Sequence, residues 1–211
     1  MPLTLTQSVV NYVCSLAEIS LARWLQLIAG LFCFAVGIAQ CKTADIGLGP
    51  WDVFADGISK TLGLSYGTAI MVVGWPLLLL WIPLRQRPGI ATVANIMLIG
   101  NFVNVVLPLS PQFENLAIRI TQYLLGIVIT GFGTGLYVGA RLGTGPRDGL
   151  MMGLTRMTGW SVRTARTCIE VVVLTLGWMM GGGVGIGTVL TALFIGPVIQ
   201  WWFRLMKLRA K

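Results

Sequence analysis

The sequence predicts an all-α, polytopic membrane protein of six transmembrane helices, built as two inverted three-helix repeats that each carry a short re-entrant or interfacial helix. Three observations lead there. The 211-residue chain is 55% hydrophobic and 10% charged, with a mean hydropathy of +0.82, which is the composition of an integral membrane protein rather than a soluble domain. It offers six apolar stretches of roughly the 20 residues that a bilayer core about 30 Å thick demands. It also repeats itself at an offset of 96 residues.

The apolar stretches are 24–41, 65–84, 89–107, 119–139, 164–180 and 186–203. Residues 1–23 lack a basic leader, have Arg23 as their first cation, and read as a retained cytoplasmic or interfacial segment rather than a secretory signal. The chain 1–211 is then one membrane domain, with repeat 1 over 24–108, repeat 2 over 119–204 and a basic cytoplasmic tail over 205–211. Cys14, Cys33, Cys41 and Cys168 show no CxxC spacing and lie mostly in apolar segments, as free buried thiols do.

The net charge of +8 is placed by topology. With the N-terminus in the cytoplasm, Arg23, Arg85, Arg87, Arg141, Arg147, Arg156, Arg163, Arg166, Arg204, Lys207, Arg209 and Lys211 share one side, and only Lys42, Lys60 and Arg119 take the other. This positive-inside bias predicts that both termini are cytoplasmic, and it removes the need for a nucleic-acid partner. Trp201 and Trp202 suit the interface, and the cations that follow suit an anionic inner leaflet.

Aligning 28–105 with 124–201 needs no gap and yields 20 identities over 78 positions, among them Gly30/Gly126, Gly37/Gly133, Asp52/Asp148, Ser65/Ser161, Thr92/Thr188 and Gly100/Gly196. Each copy holds three spans. Three is odd, so the second copy enters from the opposite face and is inverted, a recurrent plan of secondary transporters with the site near the midplane.

The most specific shared motif is Gly-x-Gly-Pro-x-Asp: Gly47, Gly49, Pro50 and Asp52 in one copy, Gly143, Gly145, Pro146 and Asp148 in the other. Proline suits the first turn of a helix, and an acid two positions on complements the exposed N–H groups. Each motif therefore starts a short helix, 50–61 and 146–157, which at 1.5 Å per residue is only ~18 Å long. Such a helix lies at the interface with Asp52 and Asp148 merely capping it, or it dips inward and presents them as a pair to a proton, a cation or a cationic substrate. Either way a carboxylate offsets the dipole, which disfavours an anion site.

Glu170 lies within the fifth span, where an ionisable group is expensive and a functional candidate, and Arg166 one turn away can pair with it. The third and sixth spans carry Gly100-Asn101 and Gly196-Pro197, matching irregularities that point to a binding role for Asn101 and Pro197, with Asn95, Asn104, Thr191 and Gln200 as further polar candidates. Gly131, Gly135 and Gly139 form a small-residue ladder for close helix contact, and such faces permit a homodimer. The chain has no histidine, no zinc-spaced ligand set and no nucleophile elbow, and "GGGVGIGT" at 181–188 lacks the lysine of a phosphate loop. The expectation is no enzyme, no metal and no cofactor.

"GLGPWD", "GTGPRDGLMMGL", the following "SVRTAR" with Glu170, and "GGGVGIGT" resemble the YczE-like bacterial membrane proteins, grouped with the YitT type, over about residues 25–203. The resemblance implies a multi-pass protein of the bacterial cytoplasmic membrane and brings no substrate or site residues with it. The leading expectation is a small secondary transporter or exporter of an unknown small molecule or ion, embedded in the lipid bilayer. The alternative is an accessory membrane protein that docks a cytoplasmic partner through its Arg-rich inner loops.

Overall fold

The computed structural model describes residues 20–207. The expected N-terminal surface helix and the last residues of the tail lie outside them. Eight α-helices follow in order: α1 (Leu21–Ala44), α2 (Pro50–Leu62), α3 (Tyr66–Trp81), α4 (Ile90–Val106), α5 (Leu116–Gly139), α6 (Pro146–Thr158), α7 (Val162–Met179) and α8 (Ile186–Leu205). A 3-10 turn, Leu107–Leu109, extends α4. The protein is all-α and polytopic. Four helices can cross a membrane alone by length and composition: α1, α4 with its extension, α5 and α8. The pair α2 and α3, bent by 111° at its break, counts as one further span. Six stretches were expected; α3 has only 16 residues, and the 18 of α7 include Arg163, Arg166 and Glu170.

The same local rules build both halves. Pro50 and Pro146 occupy the first turns of α2 and α6, and Gly63 (φ 63°) and Gly159 (φ 72°) end them in the left-handed region. Ser65 and Ser161 then cap α3 and α7 by accepting the N–H of Thr68 and Thr164. Thr92 and Thr188 each accept the N–H of the glycine before the helix, Gly89 and Gly185, at 3.2 Å. Gly100 and Pro197 do not interrupt α4 or α8, which run through them. Gly100 serves instead as a contact point, and a proline within a membrane helix is tolerated when neighbouring groups adjust.

Helix contacts come in pairs separated by the same 96 residues. The half-length helix α2 packs on α7, and α6 packs on α3; α1 packs on α4, and α5 on α8. The most extensive contact joins α1 to α5. There, a Cβ added at Gly37 would fall 2.6 Å from Gly126 O, and one at Gly133 would fall 2.7 Å from Gly30 O. The Gly37–Gly126 and Gly133–Gly30 contacts are each other's counterparts at the 96-residue offset, so the crossing is self-complementary in the manner of a two-fold interface. The expected ladder is a second and separate contact: Gly131 and Gly135 face Val198 and Met206 of the C-terminal segment.

Large apolar residues that remain exposed, such as Leu79, Val105, Leu193 and Trp178, give the outer surface that lipid requires. Because the α1–α5 contact has no room for a methyl group, Gly37→Ala should destabilise the protein by about 1–3 kcal/mol, seen as a lower thermal midpoint in detergent. Gly196→Ala, whose Cβ meets nothing within 4 Å, should not lower the midpoint, since alanine is the better helix former at an open position.

Candidate functional site: a cavity between the two motifs

Each motif is fastened to the other half of the chain. Gly47 (φ 102°) and Gly143 (φ 135°) make left-handed turns that only glycine takes without strain. The turns bring Ile46 O to accept from Gly187 N at 2.8 Å and Leu142 O to accept from Ala91 N at 3.0 Å, again a pair 96 residues apart. Trp81, buried on α3, donates from Nε1 to Pro146 O at 3.0 Å. The first turns of α2 and α6 are thereby held facing one space.

That space is a cavity of about 200 Å³. Gly49, Pro50 and Asp52 line it from one motif, and Gly145, Pro146 and Asp148 from the other. The motifs also touch. Arg147 lies over the Trp51 ring with Cζ 5.1 Å from its centroid, and its Nη2 is 3.8 Å from Asp52 Oδ1. Trp51 and Arg147 occupy the same position in the two copies, so one partner of this contact is the other's counterpart.

Among the described residues the charged groups of the cavity are three carboxylates, Asp52, Asp148 and Glu170, and two guanidiniums, Arg147 and Arg166. Arg166 Nε donates to Glu170 Oε1 at 2.8 Å, the pairing expected from their spacing. Asp52 is faced by Arg147, yet its Oδ1 has no hydrogen-bond partner. Asp148 accepts from the Tyr137 hydroxyl at 3.4 Å and has no cation within salt-bridge distance. The N-cap positions of α2 and α6 are glycines, which supply no side-chain cap, and the Gly145 backbone N–H bears on the Asp148 carboxylate as a capping interaction would. The rest of the wall is mainly apolar and includes Phe34, Ile38, Ile99 and Ile195, with Asn95 and Thr191 as polar points.

The cavity is asymmetric. On the first half, α3 and α4 close against each other: Gly67 N donates to Asn104 Oδ1 at 2.9 Å, and a Cβ at Gly74 would meet Ile96 at 2.9 Å. The counterparts of Gly67 and Gly74 are Arg163 and Glu170, and α7 and α8 make no comparable contact. Asp148 is exposed, while the Asp52 side chain keeps 20% of its surface accessible. The cavity opens on the side of the second half.

Asn101 and Pro197 do not line this cavity. Asn101 Nδ2 donates to Met97 O of its own helix at 2.7 Å, and Pro197 is exposed on α8. Arg147, Trp51, Tyr137 and Tyr123 line it and were not singled out from sequence as site residues. The one signal for Arg147 and Trp51 was their place inside the motif. If Asp52 and Arg147 act as a pair, a double-mutant cycle with Asp52→Ala and Arg147→Ala should show a coupling within the roughly 0.5–3 kcal/mol range of contacting residues, read from thermal unfolding in detergent. Strict additivity would remove the pair.

Residues 21–204 match a family described as of unknown function, DUF6198. The chain is 36% identical over 182 residues to the uncharacterized membrane protein YczE of Bacillus subtilis (strain 168), covering 85% of this chain and 84% of that one. It is 34% identical over 180 residues to an uncharacterized protein of Haemophilus influenzae, covering 85% and 83%. A third relative, the uncharacterized protein YyaS of Bacillus subtilis, is 24% identical over 175 residues. No solved structure matches the chain. With its helices, its apolar surface and these bacterial homologues, the chain is a multi-pass membrane protein that belongs to the DUF6198 family.

Proposed function

We propose that the protein is a small secondary transporter of the bacterial cytoplasmic membrane, with both termini cytoplasmic. In this reading it has two inverted three-helix repeats, and α2 and α6 are re-entrant half-helices. The observation that carries it is the convergence of both Gly-x-Gly-Pro-x-Asp motifs on one cavity. Two half-helices that enter from opposite faces and meet at a shared polar space form the binding site of many transporters of this plan. Irregular backbone at membrane depth is tolerated where it lines such a space.

The asymmetry supports the same reading. Alternating access needs two conformations related by exchanging the roles of the repeats. The closed α3–α4 pair and the open α7–α8 pair are what one of those conformations, open to the cytoplasmic side, would contain. The competing docking role loses two of its cations, because Arg147 and Arg166 line the cavity.

Purified protein in sealed vesicles should move its substrate, and Asp148→Asn and Glu170→Gln should each lower the flux at least tenfold. Thr175→Val, on an exposed face of α7, should leave it unchanged. Flux that survives both carboxylate substitutions would refute the pathway.

A further inference from the structure

The charges in the cavity are matched unevenly, and this selects a substrate class. Glu170 is neutralised by Arg166 at 2.8 Å. Arg147 is spent on Asp52 and on the face of Trp51. Asp148 has no cation within salt-bridge distance among the described residues and feels Arg166 and Arg147 only at longer range, at the open side of the cavity. With every group ionised, three carboxylates against two guanidiniums leave one negative charge in a space whose wall is otherwise mainly apolar, with isoleucine its commonest residue. An ion at membrane depth needs a partner of opposite sign, so an entering anion would meet net repulsion and an entering cation would complete the set.

The size and polarity of the cavity narrow the class. A cavity of about 150 Å³ with an apolar lining admits benzene, so one of about 200 Å³ admits a compact organic ion of similar bulk. An inorganic cation would want a cage of oxygens, whereas among the described residues no three acidic or other metal-ligating side chains converge, and the oxygens of Asp52, Asp148, Tyr137 and the threonines are set among apolar surface. The apolar wall takes alkyl groups, and Asp148 takes the positive end.

We propose that the cavity binds a small organic monocation of the substituted-ammonium type, held by Asp148. The proposal rests on the cavity being the binding site of the transport reading above. Proton and cation would then compete for one carboxylate, so that loading one releases the other.

The test uses choline and its uncharged isostere 3,3-dimethyl-1-butanol, with tetramethylammonium and tetraethylammonium as further cations, in calorimetric titrations of the full-length protein in detergent. At least one cation should bind. Where choline binds, the isostere should be at least tenfold weaker, a comparison that needs no variant. In Asp148→Asn the cation affinity should fall at least tenfold and lose the part of its pH dependence that Asp148 supplies, leaving only the weaker contribution of Asp52 and Glu170, while Thr175→Val binds as the wild type does. Equal binding of choline and the isostere overturns the proposal, as does an unchanged affinity in a folded Asp148→Asn or no binding of any of the three cations. Cation binding with these properties but no vesicle flux would keep the inference and remove transport. Flux of a neutral or anionic solute would do the reverse.

Discussion

The close approach of α1 and α5 is the contact on which the rest of the molecule is hung. Helices in lipid gain little from hiding apolar side chains from one another, so they associate through packing, which small residues make intimate. Gly30 and Gly37 on α1 meet Gly133 and Gly126 on α5 so closely that each backbone forms the other's wall. The crossing sets the separation of the two halves, and with it where the loops after α1 and α5 emerge. Those loops carry Gly47 and Gly143. Their turns direct α2 and α6 back toward the centre, because each is bonded to the start of the last helix of the opposite half. A methyl group at the crossing would therefore be felt at the cavity as well as in stability.

Burying the first turns of two helices at one place has an electrostatic consequence. Each terminus presents unpaired N–H groups and the positive end of a dipole. A proline at the first helical position removes one donor, and a carboxylate in the first turn offsets the dipole. Pro50 with Asp52 and Pro146 with Asp148 supply both devices. The carboxylates lie on the cavity side, where Tyr137 and Arg147 reach them. The electrostatic requirement of the two short helices and the chemistry of the cavity are thus met by the same two side chains.

Much of this was legible in the sequence because duplication writes structure twice. The gapless offset pairs Pro50 with Pro146, Gly63 with Gly159 and Ser65 with Ser161, and each pair has the same local role in both halves. The Arg166–Glu170 pair follows from one helical turn of spacing. What spacing along the chain does not contain is how the halves face each other. Arg147 read as an inner-loop cation and proved to stack on its own counterpart. Asn101 and Pro197 looked like paired helix breaks, but α4 and α8 continue through both positions, Pro197 without a backbone N–H to donate, and neither residue lines the cavity.

The positions where the copies disagree define the direction of the molecule. Asp56, buried on α2, accepts from Lys42 at 2.5 Å, from Lys60 at 2.9 Å and from the Gly183 amide at 2.9 Å, and so ties α1, α2 and the α7–α8 loop together. Its counterpart is Met152, and those of Lys42 and Lys60 are Val138 and Arg156, so the second half has no such tie at these positions. A buried ion network of this kind is costly to break from one side. At the other end, Arg163 and Glu170 stand where Gly67 and Gly74 let α3 and α4 close, and side chains of that size prevent α7 and α8 from meeting in the same way. One end is latched and the other is wedged by the differences between two otherwise parallel sequences. In the transport reading proposed above, an exchange of conformations would have to release the Asp56 network and move the Arg166–Glu170 pair out of the gap.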